Sequence, residues 1–83
     1  MSDVNLSRIR AATAREIVSA LTRDGFVLIH QKGSHHRFSH SDGRQVTASF
    51  SLGSDTFLRK TLRSMIKIQA RWTDEDLQRL GLS

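Results

Sequence analysis

The sequence predicts an α+β fold in the order α-β-β-β-α, with a three-stranded antiparallel sheet that carries its helices on one face. Two helical segments each show a single apolar stripe, and such stripes require a common packing surface. Between them lie three short strand-like runs that are separated by glycine-containing breaks. The 83 residues include no Pro, no repeat and no long linker, so we expect one domain over residues 13–83, preceded by a flexible arm over residues 1–12.

The first helix is predicted over residues 14–23. Thr13 and Glu16 have the spacing of a capping box, in which each side chain accepts a hydrogen bond from the other residue's backbone amide. Apolar residues then recur at helical spacing, and Gly25 supplies a C-terminal stop. The stripe comprises Ile17, Ala20 and Leu21, widened by Val18.

Three strands are predicted over residues 26–31, 35–40 and 44–51. The first is short, apolar and partly β-branched, as is typical of a strand. Lys32-Gly33-Ser34 separates it from the second, and Ser41-Asp42-Gly43 forms a hairpin turn because Asp-Gly tolerates positive φ angles. In the third strand apolar and polar residues alternate: Val46, Ala48 and Phe50 against Gln45, Thr47 and Ser49. This period of two predicts one buried and one open face of the sheet.

Two further helices follow the sheet. The loop Gly53-Ser54-Asp55 is expected to cap the first of them. Its apolar stripe comprises Leu58, Leu62, Met65 and Ile66, and its other side carries Arg59, Arg63 and Lys67. A last short helix opens at Thr73-Asp74-Glu75-Asp76, with acidic residues in its first turn, where the helix dipole favours them. Leu77 and Leu80 anchor this helix, and Gly81 ends it.

Composition excludes several classes of protein. Without Cys the chain has neither a disulfide framework nor a thiolate metal site. No apolar run approaches the ~20 residues of a membrane span, and residues 1–12 lack the apolar core of a secretory signal. We therefore expect a cytoplasmic protein with no membrane partner.

The charge balance favours a polyanionic partner. The formal net charge is +5, and ten of the thirteen cationic residues are Arg. Arg presents a planar fork that matches phosphate bidentately, so nucleic acid is favoured over a merely soluble basic surface. An anionic membrane is less favoured, because no segment is both strongly amphipathic and basic on one face.

Strand alternation separates the histidines. Residues two apart on a strand share a face, so His36 and His40 lie on the side of Phe38, which we expect in the core. His35 and Arg37 then lie on the open face, a placement that a register shift of one residue would reverse. We interpret His36 and His40 as structural or solvent-exposed, and His35, close to the cationic side chains, as the candidate for chemistry on a phosphate.

His30 is interpreted as a strand-end residue with a satisfied ring nitrogen and is given little functional weight. A zinc site built from His35, His36 and His40 is not expected, because alternation divides these residues between two faces and no Cys completes the set. We predict neither a metal nor a cofactor.

Several segments together resemble the HicA family of bacterial toxins over roughly residues 13–82. They are Gly25-Phe26, Gln31-Lys32, Gly33-Ser34-His35-His36-Arg37-Phe38, Asp42-Gly43-Arg44, Thr61-Leu62-Arg63-Ser64-Met65-Ile66 and Trp72-Thr73-Asp74-Glu75-Asp76-Leu77. The resemblance implies a double-stranded-RNA-binding-like fold and a ribonuclease that cleaves mRNA. It also implies a HicB antitoxin that covers the active face, so that a monomeric toxin joins a hetero-oligomer. The family's catalytic histidine maps onto His35.

The implied chemistry has a place for each residue of the Gly-Ser-His segment. Cleavage of RNA through its own 2′-hydroxyl needs a base, an acid and donors that hold the growing charge on the phosphate. His35 suits proton transfer, as base or as acid. Lys32 and Arg37 suit the phosphate, and the amides of Gly33 and Ser34 add donors. No paired carboxylates indicate a metal-dependent route, so we expect a metal-free one.

Two other functions remain open from the residues alone. A non-catalytic module of the same fold would grip duplex RNA through phosphates and 2′-hydroxyls, largely by shape. A protein-interaction adaptor would use the open face for a partner and would have no affinity for RNA.

Many relatives close the third strand with a histidine or a basic residue, where this chain has Ser49-Phe50-Ser51, so Lys32 is the alternative assisting group.

Overall fold

A computed structural model of the chain describes Ile9 and residues 12–82. Helix α1 spans Ala14–Arg23 and is followed by strands β1 (Val27–Lys32), β2 (His35–Ser39) and β3 (Gln45–Ser49). Helix α2 (Arg59–Arg63) continues directly into a π-helical segment (Ser64–Gln69), and α3 spans Asp74–Arg79. The strands form one antiparallel sheet in the order β1-β2-β3. The predicted α+β class, with its open three-stranded sheet, is confirmed.

The predicted capping box of α1 is present, and α3 begins with a box of the same kind, for which only acidic residues in the first turn were predicted. Thr13 and Glu16 form the capping box of α1, with the Thr13 amide 2.9 Å from the Glu16 Oε1. Thr73 and Asp76 form the equivalent box of α3, in which the Asp76 carboxylate accepts from the Thr73 amide at 2.9 Å. Both boxes use residues three apart, the spacing that is typical of this motif.

The predicted cap of α2 is wrong. The helix begins at Arg59, and its N-cap residue Leu58 makes no side-chain hydrogen bond to it. The Asp55 carboxylate instead accepts from the backbone amides of its own loop, those of Ser51 and Leu52, at 2.8 and 2.9 Å. Carbonyl groups of this loop accept from the first amides of α1, so the loop stabilises the start of the other helix.

Buried side chains from the helices and from one face of the sheet form a hydrophobic cluster. Helix α1 contributes Ile17, Ala20 and Leu21, the sheet Phe38, Val46 and Ala48, and the later segments Leu62, Met65, Ile66, Leu77 and Leu80. Leu58 departs from its predicted stripe and is 79% exposed, because it precedes the helix that would turn it inward. Of the predicted flexible arm, only Ile9 and Ala12 lie within the described residues, and both are buried in this cluster.

Strand β1 differs from the other two strands because a β-bulge interrupts its pairing. Leu28 pairs with Phe38, but the next paired residue is His30, opposite Arg37. Ile29 is therefore the extra residue, and beyond it every side chain of β1 changes face. All six residues of β1 are exposed, whereas alternate residues of β2 and β3 are buried as predicted.

Candidate active site

The open face of the sheet brings four basic or titratable side chains of β1 and β2 together. Lys32 pairs with His35 across the two strands, and His30 pairs with Arg37. Residues that pair directly across antiparallel strands project from the same face. They line an open cavity of about 530 Å³, whose full lining is His30, Lys32, Gly33, Ser34, His35, His36, Arg37 and Thr47.

His35 lies on this face as strand alternation predicts, and β3 holds its ring. The residue is exposed, and its Nδ1 lies 3.1 Å from the Oγ of Ser49, its directly paired neighbour. No described residue bonds to the other ring nitrogen, Nε2. Ser49 therefore orients the imidazole and leaves Nε2 accessible. Ser49 was not among the predicted site residues, and only its pairing with His35 across β2 and β3 identifies it.

The two cations beside His35 have no counter-ion within the part of the chain that the structure describes. The side chains of Lys32 and Arg37 are exposed, and neither makes an ion pair or a hydrogen bond with another described residue. No carboxylate of residues 12–82 lines the cavity. The positive field of the two side chains is therefore directed at solvent, where it attracts anions.

The turn between β1 and β2 has the form that its glycine requires. Gly33 has a φ of 59°, and a two-residue hairpin with positive φ at its first central position favours Gly there. The Ser34 carbonyl accepts from the Phe50 amide at 3.0 Å and from His36 Nδ1 at 2.9 Å. The amides of Gly33 and Ser34 donate to no described residue. The turn is thus anchored through its carbonyl while two backbone donors stay available.

His36 supports the site from the buried side. It is 9% exposed, and its ring stacks on Phe50 with centroids 4.0 Å apart and planes 4° from parallel. Its Nδ1 must carry the hydrogen, since it contacts the carbonyl oxygens of Ser34 and Ala48. The interpretation of His36 as a structural residue agrees with this geometry, because its ring stacks on Phe50 and bonds to backbone carbonyls.

His40 is satisfied at both ring nitrogens. Its Nε2 donates to the Asp24 carbonyl at 2.7 Å, and its Nδ1 accepts from the Asp42 amide at 3.1 Å. A neutral ring meets both contacts. His40 also packs edge-on against Phe26, away from the cavity lining.

The interpretation of His30 as a strand-end residue with a satisfied ring nitrogen is wrong in both parts. It is the fourth of six residues in β1, and its ring bonds to no described residue. The bulge at Ile29 turns it onto the open face, where it lines the cavity opposite Arg37. Nothing in the sequence around residue 29 signals this bulge, and without it His30 would project toward the helices.

Comparison with known protein families finds one family that this chain matches. Residues 14–70 match the family described as the HicA toxin of bacterial toxin-antitoxin systems. The chain belongs to the HicA family. The matched range includes the whole sheet, the Gly33-Ser34 turn and the π-helical segment, so it contains every residue of the cavity. No curated protein matches the chain.

Membership of the HicA family gives the chain a role and implies a partner. HicA proteins are the toxin members of toxin–antitoxin pairs, so this chain is of the toxin type and its family implies an antitoxin. Within the described part of this HicA chain, no helix has the length and apolar character needed to cross a bilayer. The same residues contain no group of three or more His, Cys, Asp or Glu side chains that could hold a metal ion.

Proposed function

We propose that this HicA protein is a metal-independent endoribonuclease that cleaves mRNA and thereby arrests translation and growth. One observation carries the proposal: an exposed imidazole, His35, lies on an open face beside two cations that pair with no carboxylate among the described residues, and no Asp or Glu of those residues lines the cavity. An anionic substrate is attracted there, and the group at the centre can move a proton at neutral pH.

The reaction uses the nucleophile that RNA itself supplies. The 2′-oxygen forms a bond to phosphorus as the bond from phosphorus to the 5′-oxygen breaks. One proton leaves the 2′-hydroxyl for a base, and one proton passes from an acid to the departing 5′-oxygen. The products are a 2′,3′-cyclic phosphate and a 5′-hydroxyl, and no oxidant, reductant or added water is consumed in this step.

The neighbours of His35 supply the rest of the chemistry. Lys32, its cross-strand partner, and Arg37, on the same face of β2, neutralise the charge that grows on the phosphate oxygens. The unengaged amides of Gly33 and Ser34 add two donors that the turn already holds in place. Ser49 orients the imidazole, which limits the motion needed before reaction.

We further infer that a HicB-family antitoxin inhibits the enzyme by covering this open face. The substrate and the family both fit a cytoplasmic protein that is monomeric alone and hetero-oligomeric with its antitoxin. A cover over the cavity would exclude RNA from His35 without altering the fold beneath it.

The test is the substitution His35→Gln, which keeps a polar side chain of similar length but cannot transfer a proton. We expect cleavage of a mixed-sequence RNA to fall by about 10²- to 10⁴-fold, the contribution typical of a positioned acid or base. The products of the wild type should carry 2′,3′-cyclic phosphate ends, and the same sequence as DNA should stay intact because it lacks the 2′-hydroxyl.

The matched control is Gln45→Ala, an exposed residue of β3 that lies outside the cavity lining. Its activity should equal that of the wild type. Retained cleavage by a folded His35→Gln protein, or activity that a chelator abolishes and a divalent metal restores, would contradict the proposal. Salt-sensitive RNA binding without any product would favour the non-catalytic RNA-binding module instead.

A further inference from the structure

The bulge at Ile29 places a second histidine in the cavity. In a regular β1 strand, alternation from Leu28, which faces the core side with Phe38, would turn His30 to that side as well. The bulge reverses the alternation, so that His30 and Lys32 both project from the open face. Bulges commonly re-aim a side chain beside an active site, and this one delivers an unbonded imidazole to the cavity.

The four side chains form a two-by-two lattice. His30 is directly opposite Arg37, and Lys32 is directly opposite His35, so the two imidazoles lie on one diagonal and the two cations on the other. Residues at diagonal positions on one face of an antiparallel pair have their Cβ atoms about 7 Å apart. A phosphate above the centre of the lattice therefore has a ring on each of two opposite sides and a cation on each of the other two.

We propose that His30 is the second catalytic residue, and that His30 and His35 share the two proton transfers of RNA cleavage. The inference rests on the proposed function, because it assigns the acid and the base of that same reaction. One ring, neutral at the start, takes the proton of the 2′-hydroxyl. The other, protonated at the start, gives its proton to the 5′-oxygen. After the step the two rings have exchanged charge states, and solvent restores them.

Two features of His30 suit it for this role rather than for support of the fold. Its ring bonds to no described residue, unlike those of His36 and His40, which are held by backbone groups. It is also exposed, so proton exchange with water is unhindered. The lattice contains no carboxylate that would compete as the second proton-transfer group.

The experiment uses RNA in which sulfur replaces the 5′-bridging oxygen at a bond that the wild type cleaves. A thiolate leaves without a proton from an acid, so a variant that lacks the acid regains activity on this substrate and a variant that lacks the base does not. On ordinary RNA we expect His30→Ala and His35→Ala each to lose about 10²- to 10⁴-fold. On the sulfur-containing RNA one of the two, and only one, should return to within about tenfold of the wild type.

Two further variants separate proton transfer from charge and from folding. His30→Arg places a permanent cation at the position but cannot act as an acid or a base at neutral pH, so it should be as inactive as His30→Ala. Gln31→Ala, the exposed neighbour on the other face of β1, should keep full activity. Thermal unfolding of all variants should match the wild type because these side chains are exposed.

The outcomes distinguish this inference from the one on which it rests. If His35→Ala is inactive but His30→Ala or His30→Arg cleaves ordinary RNA at the wild-type rate, the second histidine has no catalytic role and the proposed function stands. Recovery of both alanine variants on the sulfur-containing RNA, or of neither, also overturns the pairing. If His35→Ala itself cleaves normally, the proposed function fails.

Discussion

Two groups of cations on this small molecule have opposite surroundings. In the first, which we call the paired cluster, Arg44 and Arg79 are bonded to the carboxylates of Asp24, Asp42 and Asp76 at 2.7–3.1 Å. In the second, the open cluster, Lys32 and Arg37 accompany His30 and His35 and make no ion pair with any described residue. Asp24, Asp42 and Asp76 are thus paired with other cations and do not neutralise the open cluster.

The comparison shows how one basic chain divides its charges between stability and binding. A cation held by carboxylates contributes to the fold, and its field is largely cancelled. A cation without a counter-ion contributes little to the fold and remains available to a polyanion. The charge of the open cluster is therefore directed at solvent, whereas the charge of the paired cluster is largely cancelled.

Asp24 is the centre of the paired cluster. Its carboxylate is 9% exposed and accepts from the Trp72 indole at 2.8 Å and from Arg79 at 2.8 Å, with Arg44 at 3.1 Å. Burial by itself would raise the pKa of Asp24, but the hydrogen bonds from Trp72 and Arg79 and the charge of Arg44 outweigh it and lower that pKa. The residue ties the end of α1 to β3 and to the C-terminal segment.

The largest expected effect comes from removing this centre. Asp24→Ala leaves the half-buried Arg44 guanidinium and the Trp72 indole without their acceptor, and we expect the free energy of unfolding to fall by about 3 kcal/mol. Urea denaturation measures the change. Glu75→Ala, an exposed carboxylate on α3, is the control and should cost less than about 1 kcal/mol. Equal losses in both variants would show that the paired cluster contributes nothing specific to stability.

A titration sharpens the same comparison. The lowered pKa of Asp24 means that its contribution to stability is complete above the unfolded-state pKa, about 3.9, and is lost as the pH falls through the folded-state value. The stability difference between the wild type and Asp24→Ala should therefore be constant near neutral pH and narrow below about pH 4. Glu16 and Asp55, whose pKa values are also lowered, lie outside the paired cluster and contribute equally to both proteins. A difference that widens in acid would contradict the assignment.

The smallest effect separates the clusters by function. In a His35→Gln background, which prevents cleavage, Arg37→Ala should reduce the slope of the logarithm of RNA affinity against the logarithm of salt by about 0.7, the share of one phosphate contact with a single strand. Its stability should change by less than about 0.5 kcal/mol. The matched variant Arg79→Ala should keep the salt slope and lose stability. A slope that falls equally in both would mean that RNA contacts the two clusters alike.

The predictable parts of this fold are those that neighbouring residues determine. The capping box at Thr13 and the alternation of β2 and β3 follow from local spacing. The alternation placed His35 and Arg37 on the open face. The Gly33 turn is likewise visible in sequence because the required φ favours that residue.

The features that the sequence did not predict depend on contacts between distant segments. The bulge at Ile29 is a property of the pairing of two strands, and it decided the orientation of His30. The contact between Ser49 and His35 needs the register of β3 against β2. Asp55 is a residue type that often caps helices, but its carboxylate accepts hydrogen bonds from amides of its own loop. Local sequence patterns do not show which distant segments come into contact.

The exposure of β1 has a consequence for handling the protein. Val27, Leu28 and Ile29 are 63%, 45% and 53% exposed, and no described residue pairs with the outer edge of this strand. On the opposite edge, by contrast, the Gln69 side chain accepts from the Thr47 amide at 2.8 Å. An aliphatic strand with unused backbone donors and acceptors is a template for self-association. Concentrated preparations of the isolated chain should therefore aggregate through β1, and a charged residue at position 29 should keep them dispersed.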